Sequence, residues 1–151
     1  MAKSNPTKWI LFTLAGIIGV SWLVQQFNQR LQFGTIKMKV RGFTTDLELL
    51  LTITIPIINQ NNVSINVQDF DGSLWYGPVQ IATIDQRQPI VLAGSSTTNY
   101  VVEADINLQQ LPKDVKEQLA GGNYLQAFFL KGKMRVGSIN IPINEQITVL
   151  F

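Results

Sequence analysis

From Thr35 onward the apolar residues of this chain recur at every second position, and that period constrains the fold more than any other feature of the sequence. In a strand, successive side chains point to opposite faces, so alternation places one set inside and the other in water. Ile36, Met38 and Val40 alternate with Lys37, Lys39 and Arg41. Asp46 to Ile58 is a longer β-branched run in which Leu47, Leu49, Leu51, Ile53 and Ile55 share a face, and Pro56 predicts an edge or a bulge. Asn59-Gln-Asn-Asn62 then turns the chain. Alternation resumes from Val63 to Trp75, with Asp71-Gly72 read as a bulge or turn, and again over Val79–Ile84 and Thr97–Leu108. Leu111 to Ala120 alone carries a helical pattern here, with Pro112 in its first turn and Gly121-Gly122 at its end. Tyr124–Val136 and Ser138–Leu150 close the series.

Seven strands at regular spacing and one late helix predict an all-β fold, an immunoglobulin-like seven-stranded antiparallel β-sandwich. Before it lies a different pattern. Trp9 to Val24 is sixteen residues without a charge, preceded by Lys3 and Lys8. At 1.5 Å per residue it spans roughly 24 Å, and extension through Gln25, Gln26 and Phe27 brings it to the ~30 Å of a bilayer core. The segment is therefore read as a single transmembrane helix. Trp9 and Trp22 suit the two interfaces, and Leu11, Phe12, Leu14, Ile17, Ile18, Val20, Leu23 and Val24 supply its apolar surface. A cleaved secretory signal, with Gly19 and Ser21 before Trp22, is the alternative. Leu23, Phe27 and Leu31 then recur at spacing four, which predicts a helical stalk to about Phe33, stopped by Gly34. The expected division is residues 1–33 for tail, membrane helix and stalk, and 34–151 for the sandwich.

The chain has no cysteine and no histidine. Thiolate nucleophiles and thiolate metal sites are thereby excluded, and the commonest general base is missing, so enzyme chemistry is not expected. No cofactor, metal or small-molecule substrate is expected either. Beyond Phe33 the charges nearly cancel, which argues against nucleic acid as a partner. Asn and Gln together supply 25 residues, favouring neutral polar contacts.

Individual motifs have bland readings. Asp69-Phe-Asp71-Gly72 is similar to the start of a calcium loop, but lacks the third ligand and distal Glu, and a hairpin turn is the better reading. Glu103 and Asp105 share one face of a strand, as a solvated face would. Gly94-Ser-Ser-Thr-Thr98 reads as a strand connection, and Asn62-Val-Ser64 is a formal glycosylation sequon. Trp75 and Tyr76, beside Gly77-Pro78, are candidates for a partner contact or for core packing.

The order of these features resembles the late embryogenesis abundant group 2 family, also called the water stress and hypersensitive response domain. The resemblance is carried by DLELLLTITIPI with its Asn-rich turn, VSINVQDFDGSLWYG, PIVLAGSSTTNYVVEADINL, the helix LPKDVKEQLAGG and the pair FFLKGKMRVGSINIPI. It covers roughly Gly34 to Leu150. The family's usual Asn-Pro-Asn falls where Ile57-Ile-Asn-Gln-Asn61 stands, without the proline. Membership implies a role in desiccation or stress protection.

The expectation from the residues is a non-enzymatic, single-pass membrane protein whose sandwich contacts other proteins of a larger assembly, in a cell membrane or the internal membrane of a virion. Stress protection and lipid binding between the sheets are the two alternatives.

Overall fold

A computed structural model describes residues 31–137 and 139–150. The segment read as a membrane helix, from Trp9 to Val24, lies outside these residues, and among the described residues no helix is long and apolar enough to cross a membrane.

Ten strands are described: β1 (Leu31–Phe33), β2 (Ile36–Phe43), β3 (Glu48–Asn59), β4 (Ile65–Val67), β5 (Asp69–Tyr76), β6 (Val79–Gln86), β7 (Ile90–Leu92), β8 (Ser96–Asn107), β9 (Phe128–Val136) and β10 (Ile139–Leu150). A 3-10 turn, Leu108–Gln110, and one helix, α1 (Lys113–Gly121), lie between β8 and β9. Eight strands form one sheet in which β8, β3, β2, β10, β9, β5 and β6 follow one another, β1 extending β3 beside β2. β4 and β7 pair separately.

The alternation seen in the sequence becomes the core. Leu49, Leu51, Ile53, Ile55 and Ile57 of β3 are all buried, facing Tyr100, Val102, Ala104 and Ile106 of β8 on the same inner surface. At about 2 kcal/mol for each large aliphatic side chain, the five β3 positions alone contribute roughly 10 kcal/mol of gross transfer free energy. Leu47 does not join them. It is 40% exposed, in the turn between β2 and β3, with φ +62°. Thr44 closes that turn, its hydroxyl accepting from the Glu48 amide at 3.1 Å, so the strand begins at Glu48 rather than Asp46.

Four further expectations are corrected. The arrangement is not wholly antiparallel, because β2 and β10 pair in parallel from Ile36↔Ile147 to Lys39↔Leu150. Alternation is the same in either direction, so a four-residue ladder between strands this far apart in sequence leaves no mark in it. Ten strands replace seven, because Val63–Trp75 splits into β4 and β5 where Asp69 and Phe70 are buried consecutively. Two three-residue ladders, β1 and β7, complete the count. Leu31–Phe33 is a strand antiparallel to Ile57–Asn59, not the end of a helical stalk.

Pro56 stands inside β3, at neither an edge nor a bulge. Its carbonyl accepts from the Gly34 amide at 2.8 Å. In an antiparallel strand a residue's nitrogen and carbonyl point to the same edge. The missing N–H therefore faces the break between β1 and β2, where no ladder partner requires it.

α1 forms as the sequence indicates. Pro112 precedes it, Asp114 sits in its first turn, Val115 and Leu119 are its buried residues, and Gly122 ends it at φ +71° in the left-handed conformation that glycine adopts without strain.

Candidate interaction surfaces

Asp69 opens β5 directly opposite Arg135 of β9. The Arg135 side chain donates to Asp69 Oδ2 through Nε at 3.1 Å and Nη2 at 2.6 Å. Arg87 approaches Asp69 at 3.7 Å, Asp71 at 3.6 Å and Asp85 at 2.7 Å. Asp71 and Asp85 face each other across β5 and β6, a like-charged pair whose repulsion Arg87 relieves. The hydrogen bond from Arg135 holds the Asp69 carboxyl below its ordinary range; the charges of Arg135 and Arg87 reinforce this, against the opposing effect of burial. Each of the three carboxylates thus has an arginine as its ion-pair partner, two arginines being shared among three aspartates. Among the described residues no group of three or more metal-ligating side chains is assembled.

Asp71-Gly72 is neither bulge nor turn; it lies within β5. Gly72 pairs with Gly132 of β9, and the Phe70 ring lies against both. A Cβ on Gly132 would stand 2.3 Å from the Asp71 carbonyl oxygen. Only glycine allows the two strands and the ring to meet there.

Trp75 and Tyr76 point to opposite faces. Tyr76 is buried at 1% exposure and its ring packs 5.0 Å from that of Phe128. Its hydroxyl donates to Gln118 Oε1 of α1 and accepts from the amides of Leu125 and Gln126, at 2.8 and 3.3 Å. It fastens the helix and the following loop to the sheet, which is the core-packing role of the two readings. Trp75 is half-buried on the outer face. Its indole N–H donates to Ser73 Oγ at 2.8 Å, and the Lys131 ammonium lies 4.4 Å from the ring centroid. Phe129 and Gln80 stand beside Trp75 in register, and Gln146 beside Phe129. The result is a neutral polar row with an aromatic centre.

Glu103 and Asp105 are exposed on β8, with the Arg41 guanidinium 3.8 and 3.9 Å away, as a solvated strand face requires. Gly94 and Ser95 connect β7 to β8, and Ser96 to Thr98 already belong to β8.

Sequence reasoning missed Asn59. It is 1% exposed, at the end of β3. Its Nδ2 donates to the carbonyls of Val63, Leu92 and Ala93 at 3.0–3.2 Å. Its Oδ1 accepts from the backbone and side-chain amides of Asn61, both at 3.0 Å. The Ser95 amide in turn donates to the Asn61 carbonyl at 2.8 Å. One buried side chain thus ties loop 60–64 to segment 92–95. The available signal was an amide at the last inward position of an alternating strand, where an apolar residue is expected.

An open apolar groove of about 450 Å³ lies at the other end of the domain, among Val40, Phe43, Leu49, Leu119, Tyr124 and Leu150, with the exposed Lys39 beside it. The lipid-binding alternative placed such a space between the sheets. This groove instead lies where the ends of β2 and β10 meet α1.

These features define an all-β domain with one packed core and an outer face on which a Gln-flanked aromatic row lies beside an ion network of three aspartates and two arginines. A family model described as late embryogenesis abundant protein matches residues 54–147. The chain belongs to the late embryogenesis abundant protein family. No curated protein matches the sequence. Among solved structures, a protein of Archaeoglobus fulgidus is 16% identical, with a TM-score of 0.54 over 80% of this chain and 99% of that one. A protein of Arabidopsis thaliana known from its solution structure is 12% identical, with a TM-score of 0.58 over 81% and 83% of the two chains. A β-glucuronidase of glycoside hydrolase family 2 is 8% identical, with a TM-score of 0.51 over 76% of this chain and 11% of that one. At such identities the likeness is one of fold.

Proposed function

We propose that this chain is a non-enzymatic protective protein of the late embryogenesis abundant family, tethered to a membrane by its N-terminal apolar segment and acting by contact on the bilayer and proteins beside it during water loss. The domain is read as an immunoglobulin-type two-layer β-sandwich. The family match over residues 54–147 supports the protective role. A chain with no cysteine and no histidine, and with 25 Asn and Gln residues, supports it. Such a surface replaces water's hydrogen bonds with neutral amides instead of adding a strong field. Vesicles holding a self-quenching dye, dried and rehydrated with the full-length chain in their membranes, test it. Retention of the dye above that of vesicles carrying an unrelated single-pass protein is expected. Equal leakage contradicts it.

The Trp75 row favours a second reading, a fixed protein partner within a larger assembly, such as a cell-envelope complex or a membrane-containing virion. Crosslinks from Lys131 to one abundant protein in native membranes support that reading, and scattered or absent crosslinks remove it.

A further inference from the structure

Three uncharged runs of the chain converge at one end of the domain. Residues 49–68, 88–102 and 136–144 contain no Asp, Glu, Lys or Arg. Their bends meet where β1 enters the sheet, since Leu31 stands opposite Asn59 and Asn59 opposite Ser96. The β9–β10 hairpin joins them, Val136 and Ile139 lining with Val63 and Ile65 an open groove of about 400 Å³. Each run is bounded by a residue of the ion network: Asp69 follows the first, Arg87 precedes the second and Arg135 precedes the third. The charges next to this end are therefore occupied with one another.

Two valines project from the same end, Val63 at 64% exposure and Val91 at 59%. Val63 sits in the loop that Asn59 ties to segment 92–95, and Val91 on the outward face of β7. Isolated apolar residues in water need no explanation. What gives these a direction is the chain outside the described residues. Only six residues separate Val24, the end of the apolar run, from Leu31. Even fully extended, the seven steps from Val24 to Leu31 reach no more than about 25 Å. If Trp9 to Val24 is in a bilayer, the end at which Leu31 enters is the end that faces it.

We infer that this end is a second membrane contact, in which Val63 and Val91 enter the interfacial layer of the bilayer while the amides of loop 60–64 face the head groups. The inference rests on the membrane tether of the proposed function and adds the surface that meets the lipid. Val63 and Val91 lie in runs without lysine or arginine, so the contact they make is apolar and requires neither anionic lipid nor low salt, although Arg30 directly precedes Leu31 in the sequence.

The chain has no native cysteine, so a single nitroxide can be placed without altering the background. Val63→Cys, Val91→Cys and Leu125→Cys are made in the full-length chain and reconstituted into phosphatidylcholine vesicles. Leu125 is 66% exposed at the opposite end, in the loop held by Tyr76, and serves as the aqueous reference. The accessibility of each label to oxygen relative to a water-soluble nickel chelate reports its depth. A ratio several-fold higher at 63 and 91 than at 125 is expected, unchanged between about 0.05 and 0.5 M salt. Adding Val63→Asp to the Val91→Cys chain is expected to lower the ratio at 91 towards the reference. If the chain floats with the vesicles but all three labels give the same ratio, the tether stands and this inference fails. If the chain does not float, both fail.

Discussion

Replacing Asn59 by alanine removes the side chain that ties loop 60–64 to segment 92–95. The Leu92 carbonyl, whose bond to Asn59 Nδ2 is buried, is left without that donor. A buried polar group deprived of its partner costs about 1–3 kcal/mol. The Val63 and Ala93 carbonyls and the Asn61 amide are only part-buried and regain water, at roughly 0.5 kcal/mol each. The sum is about 2.5–4.5 kcal/mol. Asn59→Asp sharpens the test, because it retains the acceptor for Asn61 but has no donor for three carbonyls, and it places a negative charge among them. At neutral pH it is expected to destabilise more than alanine, and less so in acid, where the carboxyl regains a proton. Urea unfolding of the full-length chain in detergent micelles measures both variants. With a slope of about 2 kcal/mol per molar, alanine shifts the midpoint down by about 1–2 M. A shift under about 0.2 M, or an Asp variant more stable than the Ala variant at pH 7, refutes the reasoning.

Other consequences follow from single contacts. Gly132→Ala is expected to cost about 3 kcal/mol or more, since its Cβ would press the strands apart at the Asp71 carbonyl, whereas Gly42→Ala, with nothing within 4 Å of its Cβ, leaves the melting temperature within a few degrees. Tyr76→Phe removes the donor to Gln118 and the acceptor for two amides; a loss of about 2 kcal/mol is expected, with faster hydrogen exchange at Leu125 and Gln126. Burial, aided by the Asp69 charge, pushes the Tyr100 phenol up to about 12 from 10. Its folded form holds the proton more tightly, so its contribution to stability is complete below about pH 10 and declines as the pH rises towards 12. Tyr100→Phe abolishes that decline in an alkaline titration of unfolding, at little cost near pH 7, because the buried hydroxyl makes no hydrogen bond among the described residues. Asp69 has the opposite sign. Its lowered carboxyl stabilises the fold above the ordinary carboxylate range, and that share disappears as the pH falls through its folded value; Asp69→Asn flattens this acid limb.

The long strands were legible because their alternation survives in the structure nearly residue for residue. β3, β8 and β10 each run for twelve residues, long enough for a period of two to stand out. The helix was legible from Pro112 and the paired glycines. What escaped was short or depended on distant partners. β1 and β7 are three residues each, and Leu31–Phe33 continued a helical spacing that only its pairing with β3 overrides. Pro56 signals an edge to any local reading, because the gap between β1 and β2 that accommodates it is created by tertiary pairing. Trp75 and Tyr76 were read as one candidate, although alternation alone places neighbours on opposite faces. The glycine pair at 72 and 132 and the Asn59 tie involve residues 60 and 33 positions apart in sequence, beyond any local pattern.

Flotation of the full-length chain with liposomes, followed by a carbonate wash, tests the tether most directly. Beside it is run the double variant Leu14→Glu, Ile18→Glu, which places two charges in the apolar run. The account predicts that the native sequence floats and resists carbonate, whereas the variant stays in the soluble fraction with an unchanged urea midpoint for the β domain. Equal behaviour of the two chains, both floating or both soluble, would contradict it.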